Sequence, residues 1–102
     1  MQLGVPKEIK AQEFRVGMTP AGVRELVSAG HTVLIESGAG DAVGLTDDLY
    51  RVAGASVVDT AEQVFTESDM IVKVKEPQPH ECRQLRPEQL LFTYLHLAAD
   101  PM

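Results

Sequence analysis

Cys82 is the single cysteine among 102 residues. It cannot form an internal disulfide, and no zinc cluster can be assembled around it. Basic residues are also scarce. Nine Lys and Arg stand against fifteen Asp and Glu, for a formal net charge of -6. A chain so balanced has no basic surface to neutralise phosphates, which argues against a nucleic-acid partner. No apolar run approaches the ~20 residues needed to cross a bilayer. The first residues, Met1 to Lys7, lack the charged segment and apolar core of an export signal. Repeats, low-complexity segments and linker-like stretches are missing too. These absences point to one domain with no metal and no membrane, in a reducing, cytoplasmic setting.

What is present is an ordinary globular mixture, 44% hydrophobic and 24% charged,. Leu3-Gly4-Val5 reads as a first strand stopped by Pro6, and Lys7 to Phe14 as a polar loop. Thr19-Pro20 starts a helix, with Thr19 as N-cap and proline in the first turn. Val23, Leu26 and Val27 follow at helical spacing, and Gly30 closes it. Thr32 to Glu36 is a β-branched and apolar second strand. Thr46-Asp47-Asp48 opens a short helix that Gly54 ends. Ser56-Val57-Val58 is a third strand, and Thr60 with Gln63 fits a capping box. Ile71 to Glu76, stopped by Pro77, is a fourth strand. Pro79 to Leu85 is a brief helix and Leu90 to Leu95 a fifth strand. Strands alternate with helices, and several strands are apolar on both faces. The pattern specifies α/β architecture: a Rossmann-like, open, mostly parallel sheet with helices on both faces.

The glycine-rich stretch Gly38-Ala39-Gly40-Asp41-Ala42-Val43-Gly44 follows a strand, as a dinucleotide fingerprint does. Its third glycine falls one residue late, and the next helix waits for Thr46. It reads as a structural turn, and no nucleotide is assigned to it.

Lys73 and Lys75 point to one face of an extended strand. A lysine there is costly to bury unless an anion meets it. Lys75 stands at the strand's C-terminal end, where open parallel sheets bind ligands. The pattern alone does not choose between a ligand-binding Lys75 and a solvated edge-strand face. Lys73, deeper along the strand and free to snorkel, is the weaker candidate. His96 also follows a strand, and is either a satisfied core histidine or a proton carrier. Arg15 follows the first strand. Its guanidinium matches a carboxylate, although the pattern alone fits a surface arginine beside Glu13 slightly better. His31, His80 and Cys82 read as surface residues. Arg15, Lys75 and His96 thus issue from three strand ends on one edge. Together they suit a small carboxylate bearing a carbonyl or amine.

These residues resemble a known family. Gly4-Val5-Pro6-Lys7-Glu8, Glu13-Phe14-Arg15-Val16, Thr19-Pro20, Gly30-His31, Glu36-Ser37-Gly38-Ala39-Gly40 and Ala53-Gly54-Ala55 resemble the N-terminal part of the alanine dehydrogenases and nicotinamide nucleotide transhydrogenase alpha subunits. Lys73-Val74-Lys75-Glu76-Pro77 and Leu91 to Ala99 are similar to the alanine dehydrogenase branch. The resemblance covers essentially the whole chain. It implies interconversion of L-alanine with pyruvate and ammonium, with NAD as hydride acceptor, by hexamers of two-domain α/β subunits. It implies that Arg15 and Lys75 bind the substrate carboxylate, that His96 and Lys75 serve catalysis, and that Tyr94 lines the pocket. The division of acid/base work between Lys75 and His96 stays open. Val16-Gly17-Met18 departs from a commoner Val-Ala-Leu type of sequence.

Family members are several times longer, and their NAD fingerprint comes later. Asp100-Pro101 also signals a helix start with only Met102 after it. Residues 1–102 are therefore expected to be the N-terminal part of the substrate domain, a sheet incomplete at its C-terminal end, with the NAD-binding domain outside the chain. The rival readings are a catalytically inactive module that binds small carboxylates or partners, and a transhydrogenase-type domain.

Overall fold

The computed structural model describes residues 1–9, 15–75 and 77–93. Five strands are described: β1 (Gln2–Val5), β2 (Thr32–Glu36), β3 (Ser56–Val58), β4 (Met70–Lys73) and β5 (Leu90–Thr93). They form one sheet in the order β3-β2-β1-β4-β5. Every neighbouring pair is parallel. The chain builds outward from β1 through β2 to β3, then crosses back to place β4 on the other side of β1. The strand order therefore reverses between β1 and β4, and the carboxyl ends of that pair form the sheet's switch point.

Helix α1 (Pro20–Ser28) begins where the local signals place it. Thr19 Oγ1 accepts the Gly22 amide at 3.2 Å, and Pro20 occupies the first turn. Helix α2 (Asp47–Ala53) starts at Thr46 and ends at Gly54, whose φ of 111° glycine adopts without strain,. Helix α3 (Ala61–Glu67) is capped by Thr60, which accepts the Gln63 amide at 3.2 Å. Gln63 reaches back one residue further than a standard box, accepting from the Asp59 amide,. The brief helix α4 spans Pro79–Cys82, shorter than the predicted stretch to Leu85. β4 stops at Lys73, so Lys75 lies two residues beyond the ladder.

The two faces of the sheet bury different helices. Leu3, Val5, Val33, Ile35 and Val72 pack with Val23 of α1 and Tyr50 and Ala53 of α2. On the other face Ile71 meets Val64 and Phe65 of α3. Gly4 lies under α3: a Cβ there would fall 2.0 Å from Ser68 Oγ and 2.7 Å from Val64 Cγ1.

β5 is an edge strand. Leu90, Leu91 and Phe92 stay 48%, 40% and 53% exposed, although their composition suits a covered strand,. No helix among the described residues is long and apolar enough to cross a membrane.

Candidate functional site at the carboxyl edge of the sheet

The segments after β1 and β4 meet at the switch point. Gly17 presses on the β4 backbone: a Cβ there would lie 2.6 Å from the Val72 carbonyl oxygen and 3.3 Å from the Lys73 Cα. This contact joins the Arg15 segment to the Lys75 segment. The Arg15 Cα lies within about 7 Å of that of Gly17, and the Lys75 Cα within about 11 Å of that of Val72, by the reach of two and three extended residues. Arg15 is exposed and Lys75 half-buried. Arg15 and Lys75 thus both lie on segments that leave this contact at the carboxyl edge of the sheet. Thr93 lies opposite Lys73 in the parallel register, so β5 leads to the same edge. Tyr94 and His96 lie outside the described residues.

The approach of the Arg15 segment is braced from α2. The buried Tyr50 donates its hydroxyl hydrogen to the Met18 carbonyl at 2.6 Å. Burial pushes the Tyr50 phenol up to about 12, so it stays a neutral donor far into the alkaline range.

Lys73 occupies a different place from the one read in its sequence. It does not snorkel: its side chain is 1% exposed, and its Nζ lies 3.0 Å from Glu8 Oε1 and 3.0 Å from Glu81 Oε2. β4 is also interior, between β1 and β5, so Lys73 does not lie on a solvated edge strand. Two carboxylates bracketing one ammonium supply the anions that a buried strand lysine requires. Glu8 goes further, accepting the Val74 amide at 2.9 Å and the Lys75 amide at 3.3 Å. Glu81 accepts the Gln78 amide at 2.9 Å. Neither glutamate was singled out from the sequence. The signal was the buried lysine itself, which demanded an anion without naming it.

Glu36, at the end of β2, accepts the Lys7 amide at 2.7 Å. Burial raises its carboxyl above the ordinary value, opposed by that amide and by the Lys7 charge. The glycine loop between β2 and α2 is closed by its own chain. The Asp47 carboxylate accepts the Gly38 amide at 2.9 Å and the Ser37 hydroxyl at 2.7 Å. Those two bonds hold the Asp47 carboxyl below its ordinary range. The Gly38 amide therefore helps close the loop onto the start of α2. Among the described residues no group of three or more His, Cys, Asp or Glu could hold a metal ion.

His31, read as a surface residue, is half-buried, and its Nδ1 is enclosed without a hydrogen-bond partner among the described residues. Cys82 is exposed.

Residues 4–102 match the protein-family description "Alanine dehydrogenase/PNT, N-terminal domain". The chain belongs to that family. The alanine dehydrogenase of Mycobacterium tuberculosis (strain ATCC 25618 / H37Rv) is 52% identical over 100 residues, which is 98% of this chain and 27% of the relative. That of Methanococcus maripaludis is 54% identical over 101 residues, 99% of this chain and 27% of the relative. That of Bacillus subtilis (strain 168) is 50% identical over 101 residues, 99% and 26%. A solved L-alanine dehydrogenase superposes with a TM-score of 0.89 at 57% identity, covering 97% of this chain and 27% of the other. A transhydrogenase from Sinorhizobium meliloti superposes with 0.87 at 30% identity, covering 99% and 29%. The backbone of this family domain is thus shared by both branches, while identity sides with the alanine dehydrogenases. The chain spans about a quarter of the length of the relatives it matches.

Proposed function

We propose that residues 1–102 form the N-terminal part of the substrate domain of an NAD-dependent L-alanine dehydrogenase. The complete enzyme would convert L-alanine, NAD and water reversibly to pyruvate, ammonium, NADH and a proton. The observation that carries this reading is the contact of Gly17 with Val72 and Lys73, which sets the Arg15 and Lys75 segments together at the switch point. The 50–54% identity to alanine dehydrogenases of three organisms supports the choice of substrate.

In this reading the Arg15 guanidinium grips the substrate carboxylate with two parallel N–H donors. The Lys75 ammonium holds the same carboxylate and draws electron density from the carbonyl oxygen of pyruvate, opening its carbon to ammonia. His96, with Lys75, moves protons to and from the oxygen and nitrogen that change bonds. Tyr94 lines the pocket. NAD, bound by parts of the enzyme outside this chain, supplies the hydride acceptor. The complete enzyme is read as a cytoplasmic homo-oligomer, a hexamer by family resemblance; a subunit-sized mass in light scattering would reject that assembly.

The experiment is Lys75→Ala in the complete enzyme. Loss of a charged donor at the reacting oxygen lowers kcat/KM for pyruvate by about 10²–10³-fold. A value near wild type would sink the assignment. The isolated chain should neither oxidise alanine nor bind NADH, and a micromolar NADH titration by fluorescence would reject that part. The transhydrogenase reading draws on the Sinorhizobium meliloti structure. Hydride exchange between two nicotinamide nucleotides without alanine would favour it.

A further inference from the structure

We propose that Glu8 is a positioning residue for Lys75, fixing the backbone from which the substrate-binding ammonium projects. The proposal rests on the reading of Lys75 as a substrate ligand. It adds a residue and a device that the reading does not contain.

The argument begins with the ladder. β1 and β4 pair in register, Leu3 with Met70 and Gly4 with Ile71. β1 ends at Val5, just before Pro6. The β4 chain continues past Lys73 toward Lys75 without that partner strand. The chain bends there, and the amides of buried Val74 and half-buried Lys75 need acceptors off the ladder, because a buried N–H left unpaired is rarely tolerated,. Glu8 provides both. Oε2 accepts the Val74 amide at 2.9 Å, and Oε1 accepts the Lys75 amide at 3.3 Å. Consecutive amides of an extended strand face opposite sides, so one carboxylate can take both only because the chain bends at Val74 and Lys75,. The carboxylate's own placement is fixed by Lys73, whose Nζ meets the same Oε1 at 3.0 Å.

The far side of the segment is tied to the same ammonium. Glu81 Oε2 meets Lys73 Nζ at 3.0 Å, while Oε1 accepts the Gln78 amide. The Glu8, Lys73 and Glu81 side chains are all buried, at 1–3% exposure. Ionised acceptors in such surroundings make strong, directional bonds. The Val74 and Lys75 amides on one side and the Gln78 amide on the other are therefore tied, through Glu8 and Glu81, to one buried lysine. A ligand held by a long, mobile lysine gains from a backbone that does not move, since displacement by about 1 Å can cost about 10²-fold in rate.

The test uses the complete enzyme with Glu8→Gln, Lys75→Ala and the double variant. Glu8→Gln should lower kcat/KM for pyruvate by about 10–100-fold while leaving KM for NADH unchanged. The double variant should be no slower than Lys75→Ala alone, because Glu8 acts through Lys75. Losses that multiply, or a KM for NADH that rises in parallel, would show a merely structural role and overturn the proposal. An inactive Lys75→Ala beside a fully active Glu8→Gln would sink the proposal alone. A fully active Lys75→Ala would sink the substrate reading and the proposal with it. Where Glu8→Gln does not fold, amide hydrogen exchange in the wild-type protein decides. Protection of Val74 and Lys75 comparable to that of Val72 supports the proposal, and exchange at the rate of an unstructured peptide overturns it.

Discussion

Lys73 of β4 and Glu81 of α4 meet at 3.0 Å with both side chains almost fully enclosed. Glu8 completes the group from the other side at the same distance. One ammonium between two carboxylates leaves a buried excess of negative charge. Removing the cation strands both anions. Lys73→Met should therefore destabilise the fold by about 3–5 kcal/mol, seen as a lowered urea midpoint. The triple variant Glu8→Gln, Lys73→Met, Glu81→Gln removes all three charges while keeping similar volumes. It should cost less than Lys73→Met alone. A triple variant less stable than the single one would show that the group holds the fold by charge.

Tyr50 offers a stability test at the opposite end of the pH scale. Its hydroxyl donates to the Met18 carbonyl, and burial pushes its pKa up to about 12. The unfolded phenol titrates near about 10. The folded protein thus keeps a proton that the unfolded chain releases between those values. The Tyr50 contribution is complete below about pH 10 and is lost as pH rises toward about 12. Tyr50→Phe should cost about 1–2 kcal/mol at pH 8, because it leaves the Met18 carbonyl without its donor. The gap between wild type and variant should narrow as the pH is raised from 9 to 11 in guanidinium titrations. A gap that stays constant would mean that the hydroxyl is not the titrating contributor.

Gly4 marks the closest approach of β1 to the segment after α3. An added Cβ would overlap Ser68 Oγ and crowd Val64. Ser68 is fully buried, so it has little room to move aside, and its hydroxyl has no hydrogen-bond partner among the described residues. Gly4→Ala should cost about 1–3 kcal/mol by overpacking, read from the thermal midpoint. Gly4→Ala with Ser68→Gly removes the obstructing hydroxymethyl and should recover part of the loss.

Elements with local signals were legible in the sequence. Thr19-Pro20, Thr46 and Thr60 cap the helices they were expected to cap, and β2 and β3 have the predicted bounds. Alternation of strands and helices was enough to predict a parallel α/β sheet. The partners of Lys73 were not legible. Glu8 lies 65 residues away in a polar loop, and nothing near it marks it as buried. Periodicity reports which side chains face inward, not which distant charge awaits them. β5 shows the converse limit: its residues suit burial, yet Leu90, Leu91 and Phe92 stay 40–53% exposed. His31 was misread because a histidine after a helix-ending glycine carries no local sign that a neighbouring element will enclose its Nδ1.

Glu36 closes β2 beside the Lys7 amide, within the field of the Lys73 group. Burial raises its carboxyl, and the Glu81 charge adds to that, while the Lys7 amide, the Lys7 charge and Lys73 oppose it. A carboxyl raised on folding binds its proton more tightly in the folded state than in the unfolded one. Its favourable contribution is complete below the unfolded value and is lost as pH rises through the folded one. At neutral pH the ionised Glu36 is therefore a net cost. Glu36→Gln keeps an oxygen that accepts the Lys7 amide and removes the buried charge. The variant should match wild type near pH 4 and be at least as stable at pH 7, with its advantage growing between them. Parallel urea titrations at pH 4, 5.5 and 7 measure this. A variant less stable at pH 7 than at pH 4, relative to wild type, would show that attraction to Lys7 outweighs the cost of burial at this edge of the sheet.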